Sequence, residues 1–253
     1  MQCEGKHIYL YGGRQTAPQE QASKASQTSN PIPLVIVNTF EGDGSELYEL
    51  VKQSMNLRAC LEGDFIETEF EKTDFYLAVI SDIEWNDEMT PGECPPLFKK
   101  DKPYTGGAKV YLDKLVHKIL PEIKKQIEQP ISSMIIAGYS LGGLFSLYSL
   151  YETDVFTRAV SASGSMWFPG FLEFINEHEM KAKPERIYMS LGDQEAKSKN
   201  SYLSTVQEKT EAIYKHFEEI GLSVKYELNP GNHFQDADER LAKGIAWCLQ
   251  EQM

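Results

Sequence analysis

Residues 134–144, Met134-Ile135-Ile136-Ala137-Gly138-Tyr139-Ser140-Leu141-Gly142-Gly143-Leu144, constrain this chain more than any other stretch. A short apolar run rich in β-branched residues breaks at a glycine, presents a serine and resumes as an apolar helical pattern. That order reads as strand, tight turn and helix, with Gly138-x-Ser140-x-Gly142 forming a nucleophile elbow. The residue types follow from the geometry. A serine held on a strained turn needs nearly side-chain-free neighbours two positions before and after it, so that the backbones can pass. Alone the five-residue pattern is weak, because ordinary glycine and serine usage produces one by chance about one time in ten in a chain this long. Its weight comes from its surroundings.

Strand-like and helix-like stretches alternate around it. Candidate strands are His7–Tyr11, Leu34–Val37, Phe75–Ile80, Arg158–Ala162, Arg186–Leu191 and Ser223–Leu228, with Phe65–Phe70 a short strand or extended connection. Candidate helices run from a Ser45 cap to Met55, along the apolar positions Leu112, Leu115, Val116, Ile119, Ile123 and Ile127, and over Leu141–Tyr151. Further helices span Gly170–Met180, Tyr202–Ile220 and a segment starting near Gln235. Residues 14–30, rich in Gln, Ser, Ala and Thr, read as a solvated connection. No internal repeat or linker interrupts the pattern. It predicts a single α/β domain over residues 1–253, a mostly parallel central sheet with helices on both faces in three α-β-α layers. Residues 81–107, with four prolines, Gly106 and Gly107, form the longest patternless stretch. Such a loop inside a compact domain is usually functional, so it is expected to be a lid or substrate-binding loop.

In a doubly wound sheet, active groups collect beyond the carboxyl ends of the strands. Of the five histidines, His117, His178 and His216 fall within predicted helices, and His7 falls at the amino end of the first strand. Only His233 lies in a loop just past a strand's carboxyl end, which makes it the candidate general base for Ser140. The orienting acid should also follow a strand end, between serine and histidine in the chain. The loop 192–195 fits, offering Glu195 as first choice and Asp193 as the alternative. A developing oxyanion needs two backbone N–H donors. Leu141, the residue after the nucleophile, is one. The loop after the first long strand supplies the other, from Phe40 or alternatively Thr39.

Bulk properties narrow the partners. A net charge of −13 and a pI near 4.9 argue against nucleic acid and anionic membranes. No apolar stretch approaches the length of a membrane span, and no basic, apolar leader is visible at the N-terminus. Cys3, Cys60, Cys94 and Cys248 are scattered without paired spacing, which disfavours a zinc site or disulfide framework and fits a reducing cytoplasm. No cofactor and no metal are expected, since histidines and acids lack ligand spacing. Oligomeric state is not encoded in any pattern.

With these residues in view, the chain from about residue 33 to 250 resembles the esterase family of the α/β-hydrolase superfamily that includes esterase D, feruloyl esterases, enterochelin-type esterases and mycolyl transferases. The matching pieces are the Gly-Tyr-Ser-Leu-Gly-Gly elbow, Ser163-Gly164-Ser165-Met166-Trp167, the Gly192–Glu195 loop, Gly231-Asn232-His233, Tyr104-Thr105-Gly106-Gly107-Ala108 and Trp85-Asn86-Asp87 with Thr90-Pro91. The resemblance implies an α/β-hydrolase fold and a Ser140–Glu195–His233 triad, in the chain order described for that fold. It also implies a pocket lined by Trp167, with Trp85 and Tyr139 joining the substrate-binding set and residues 84–104 at the entrance.

The resulting expectation is a cofactor-independent serine hydrolase that cleaves a small or medium carboxylic ester through an acyl-enzyme. Two alternatives use the same residues: an acyltransferase, which passes the acyl group to an alcohol, and a non-catalytic hydrolase-like binding module.

Overall fold

The computed structural model describes residues 1–12, 30–61 and 75–250. The solvated connection over 14–30 and the extended segment Phe65–Phe70 lie outside them, apart from Asn30. In chain order the elements are β1 (Gln2–Cys3), β2 (Lys6–Tyr11), β3 (Ile32–Asn38), α1 (Ser45–Leu61), β4 (Tyr76–Ser81), α2 (Trp85–Glu88), β5 (Glu93–Cys94) and β6 (Tyr104–Thr105). Then follow α3 (Ala108–Lys114), a π turn (Leu115–Ile119), α4 (Leu120–Lys125), β7 (Ile131–Tyr139), α5 (Leu141–Glu152), β8 (Arg158–Ala162) and α6 (Phe171–Glu177). The chain closes with β9 (Arg186–Gly192), a 3-10 turn (Leu203–Thr205), α7 (Val206–Glu219), β10 (Val224–Asn229) and α8 (Ala237–Leu249).

Eight of the described strands form one sheet in the order β1-β2-β4-β3-β7-β8-β9-β10. From β4 to β10 every neighbouring pair is parallel, and β1 and β2 are antiparallel additions at one edge. The central strands are buried on both faces, so their sequences are near-continuous apolar runs rather than alternations. Alternate residues serve opposite layers. Leu34 and Ile36 pack towards α3, α4 and α5, whereas Val35 and Val37 pack towards Leu47 and Val51 of α1 and Leu241 and Ile245 of α8. Buried through Tyr151, α5 sits inside the molecule, which explains its lack of a polar face.

Three local features differ from the sequence expectation. Ser45 is the first residue of α1 rather than its cap; its N–H is met by the Asp43 carboxylate two residues earlier. The helix containing Leu112 to Ile123 carries a π turn just before Pro121, which has no N–H to return to the preceding turn. Residues 81–107 are not patternless. They hold α2 and the β5–β6 pair, tied together by Gly107 N–H to Asp87 O (2.9 Å), Ala108 N–H to Thr90 O (3.1 Å) and Asn86 Nδ2 to Lys102 O (2.8 Å). Elements this short carry too few residues to show a period.

His7 stands at the amino end of β2, as expected, but that end is on the site's side of the sheet. Because β2 runs antiparallel to β4 and pairs His7 with Ser81, His7 lies beside the carboxyl ends of the parallel strands, in contact with Asp82. Its distance from the site is set by strand order. Three strand steps separate β2 from β7, roughly 14 Å at the usual spacing.

Candidate active site

Ser140 occupies the junction of β7 and α5 with φ 57° and ψ −121°, a backbone conformation that a non-glycine residue adopts only under constraint. The constraints are its own hydrogen bonds. Its N–H donates to Ala162 O (3.1 Å), and its carbonyl accepts from Gly143 N (3.0 Å), Leu144 N (3.1 Å) and Ser165 N (3.0 Å). Gly142 lies against Asn38 O and the Trp85 ring, each 3.3 Å from where a Cβ would stand.

Two loop ends converge on this serine. His233 Nε2 lies 3.0 Å from Ser140 Oγ, and His233 Nδ1 lies 2.7 Å from Glu195 Oε2. The Glu195 side chain is only 4% exposed, whereas that of His233 is 30% exposed, so the carboxylate sits beneath the imidazole and away from solvent. Burial would raise the Glu195 pKa. The His233 hydrogen bond and charge, the Gly192 N–H (2.6 Å to Oε1) and Ser163 outweigh it and hold the carboxyl below its ordinary value. Asp193 has a different geometry: its Oδ1 accepts from Gly231 N (2.9 Å) and Gln194 Nε2 (2.9 Å), bracing the loop that carries His233.

Around the three lie the remaining predicted residues. The Tyr139 hydroxyl donates to His233 O (2.7 Å), and its ring packs 5.4 Å from the imidazole. Thr39 N–H is engaged by Ile80 O (3.0 Å). Phe40 is 62% exposed and meets Trp85 edge-on at 5.6 Å. Trp167, 5% exposed, joins an aromatic cluster with Tyr104, Phe168 and Tyr202.

The sequence reading gave no role to Ser165, whose Oγ lies 3.4 Å from that of Ser140, or to Asn38, which accepts from Tyr111 Oη (2.5 Å) beneath the elbow. It also passed over Arg240. This residue is 3% exposed and reaches Glu195 Oε1 (3.3 Å), Ser163 Oγ (3.1 Å), Tyr139 Oη (3.5 Å) and Pro230 O (2.9 Å). A signal existed: Arg240 shares the stripe of Leu241, Gly244, Ile245 and Cys248, the buried face of α8. Among the described residues, no group of three or more His, Cys, Asp and Glu could hold a metal ion, and no helix is long and apolar enough to cross a membrane.

A mostly parallel sheet covered on both faces, with a strained serine at the carboxyl end of a central strand, defines an α/β-hydrolase. The family model described as "Putative esterase" matches residues 60–235. The chain belongs to that family and is a carboxylic ester hydrolase. It is 26% identical over 169 residues to the uncharacterized protein YbbA of Bacillus subtilis (strain 168), covering 64% of this chain and 68% of that protein. An IroE-like serine hydrolase from Shewanella oneidensis superposes with a TM-score of 0.66 at 19% identity, over 86% of this chain and 70% of that one. The BES protein from Bacillus cereus gives 0.66 at 20% identity, over 97% and 91% respectively. At these identities the structural likeness speaks for the fold.

Proposed function

We propose that the chain hydrolyses a small or medium carboxylic ester with Ser140 as nucleophile, His233 as general base and acid, and Glu195 as the acid that orients the imidazole. The observation carrying this reading is the unbroken hydrogen-bond chain from Glu195 Oε2 through His233 to Ser140 Oγ. In this mechanism His233 Nε2 takes the Ser140 proton as Oγ bonds to the acyl carbon, and the carbonyl electrons move onto oxygen. Collapse of that intermediate breaks the bond to the alcohol oxygen, which receives the proton from His233. A water then attacks the acyl-enzyme, giving its proton to the imidazole, and Ser140 leaves reprotonated with release of the acid.

Leu141 N–H and Phe40 N–H are the proposed oxyanion donors. Phe40 is preferred over Thr39 because the Thr39 N–H is already engaged in extending the sheet towards Ile80. Trp85 and Phe40 form one wall of the mouth, Trp167 backs it, and residues 81–107 act as the substrate-binding loop. Tyr139 contributes by holding the His233 backbone. The described elements share one main sheet, which supports a single hydrolase domain. The free thiols of Cys3, Cys94 and Cys248 support a reducing, cytoplasmic setting.

The test is Ser140→Ala, which should lower kcat on p-nitrophenyl acetate by about 10³-fold or more and abolish fluorophosphonate labelling. Retained turnover in that variant would sink the reading. Adding an alcohol acceptor and assaying for a new ester separates hydrolysis from acyl transfer on the same residues.

A further inference from the structure

A cation buried in the first turn of a helix is out of place on two counts. Arg240 is 3% exposed, and ionic groups are costly to take out of water. It also follows the α8 start at Ala237 by three residues, at the end where the helix dipole disfavours positive charge. An apolar side chain would suit the stripe it shares with Leu241, Gly244 and Ile245. What Arg240 contacts explains its presence.

One guanidinium nitrogen faces Glu195 Oε1 (3.3 Å), Ser163 Oγ (3.1 Å) and Tyr139 Oη (3.5 Å), and the other donates to Pro230 O (2.9 Å). Those four groups belong to the loop after β9, the loop after β8, the end of β7 and the loop after β10. All four surround the reacting serine. Room for the contact is left by Gly192, where a Cβ would stand 3.0 Å from both Arg240 Nη1 and Glu195 Oε1.

Resting on the proposed Ser140–His233–Glu195 reading, we infer that Arg240 is a positioning residue for the hydrolase reaction, pinning Glu195 beneath His233 and setting the charge that the imidazole experiences. The mechanism has two parts. A planar fork makes several directed bonds at once, which a lysine cannot do, so it holds Glu195 Oε1 while Oε2 stays aimed at His233 Nδ1. Its positive charge offsets part of the carboxylate's, so the imidazolium is stabilised less than a lone Glu195 would stabilise it. The charged and titratable groups around Arg240 include Tyr139 of β7, Asp193, Glu195 and Lys197 after β9, Tyr226 of β10 and His233 after it. Glu46 of α1, Asp236 just before α8, and Asp238 and Glu239 within it flank the same end. With so many acids nearby, loss of this buried guanidinium leaves the imidazole in a more negative surrounding.

The experiment compares Arg240→Met, Arg240→Lys and Ser140→Ala with the parent protein, reading kcat, KM and the pH profile of kcat/KM on p-nitrophenyl acetate. Arg240→Met should raise the midpoint of the acidic limb by more than about one pH unit, as expected for removing a unit charge two hydrogen bonds from the imidazole at an effective dielectric near 20. Its kcat should fall at least about tenfold with KM little changed. Arg240→Lys should keep the parent midpoint while still losing kcat. The midpoint belongs to the molecules that remain folded, so a loss of stability does not imitate it, and Arg240→Gln replaces Arg240→Met if the latter does not accumulate. An Arg240→Met midpoint equal to the parent's, or an Arg240→Lys midpoint displaced as far as that of Arg240→Met, overturns the inference. Full activity in Ser140→Ala would instead overturn the nucleophile assignment, so the two failures are distinguishable.

Discussion

Gly138 and Gly142 meet across the elbow so closely that a Cβ on Gly138 would lie 2.3 Å from the Gly142 carbonyl carbon and 2.4 Å from its oxygen. The clash is with backbone, which cannot swing aside as a long side chain can. The end of β7 and the start of α5 therefore approach each other only because no side chain stands between them, and that approach thrusts Ser140 outwards.

Gly138→Ala should accordingly destabilise the protein by about 2 kcal/mol or more, the range of overpacking in a rigid site. Thermal unfolding read by circular dichroism would show the fall in Tm. An unchanged Tm would mean that the elbow backbone can shift at little cost.

The two carboxylates of the loop after β9 should behave differently. Glu195→Gln should lower kcat by about 10³–10⁴-fold, because an amide cannot hold the imidazole tautomer as a carboxylate does. Asp193→Asn weakens only the brace on Gly231 and should cost no more than about tenfold. Parallel steady-state kinetics of the two variants decide the assignment, and the reverse order would favour Asp193.

Trp85 lies over Gly142 and meets Phe40 edge-on. Trp85→Ala should raise KM for aromatic esters about tenfold, the equivalent of one lost aromatic contact, with kcat within about threefold. A collapse of kcat at constant KM would place the indole in the chemical step instead of in binding.

Stability should depend on acid through Glu227. Burial works to raise its pKa, but Lys225 Nζ (2.6 Å), Lys243 Nζ (2.5 Å) and the Tyr188 hydroxyl (2.9 Å) outweigh burial and pull it from 4.5 to about 2. The folded pKa lies below the unfolded one, so as pH falls the unfolded chain takes up this proton first. The stabilisation is complete above 4.5 and is lost progressively as pH falls towards about 2. Glu227→Gln should lower Tm at neutral pH and flatten its decline over that acid window. Parallel Tm–pH curves for the two proteins would refute the linkage.

Much of this was legible in the chain. The apolar runs of β3, β4 and β7 identify buried parallel strands because a strand covered on both faces has no polar side. Ser140 was legible because its constraint is local: two glycines two residues away on either side. His233 stood out as the histidine in a loop past a strand end. His7 does stand at the amino end of its strand, but β2 turns antiparallel and so presents that end on the site's side of the sheet. The elements within 81–107 escaped because a four-residue helix and two-residue strands are shorter than any period.

By itself the sequence determined the alternation of strands and helices, the elbow and the three loops from which a site could be built, because each is written in residues that are neighbours along the chain. Only the tertiary structure decided that Glu195 rather than Asp193 lies under His233, that Thr39 spends its N–H on the sheet, and that Arg240 reaches Glu195 from 45 positions away. The reason is physical. Periodicity reports which face of an element is buried, whereas the meeting of side chains from different loops depends on strand order and register. Those are set by the hydrogen-bonded pairing of β7 with β8, β8 with β9 and β9 with β10, and by the packing of α8 across that sheet.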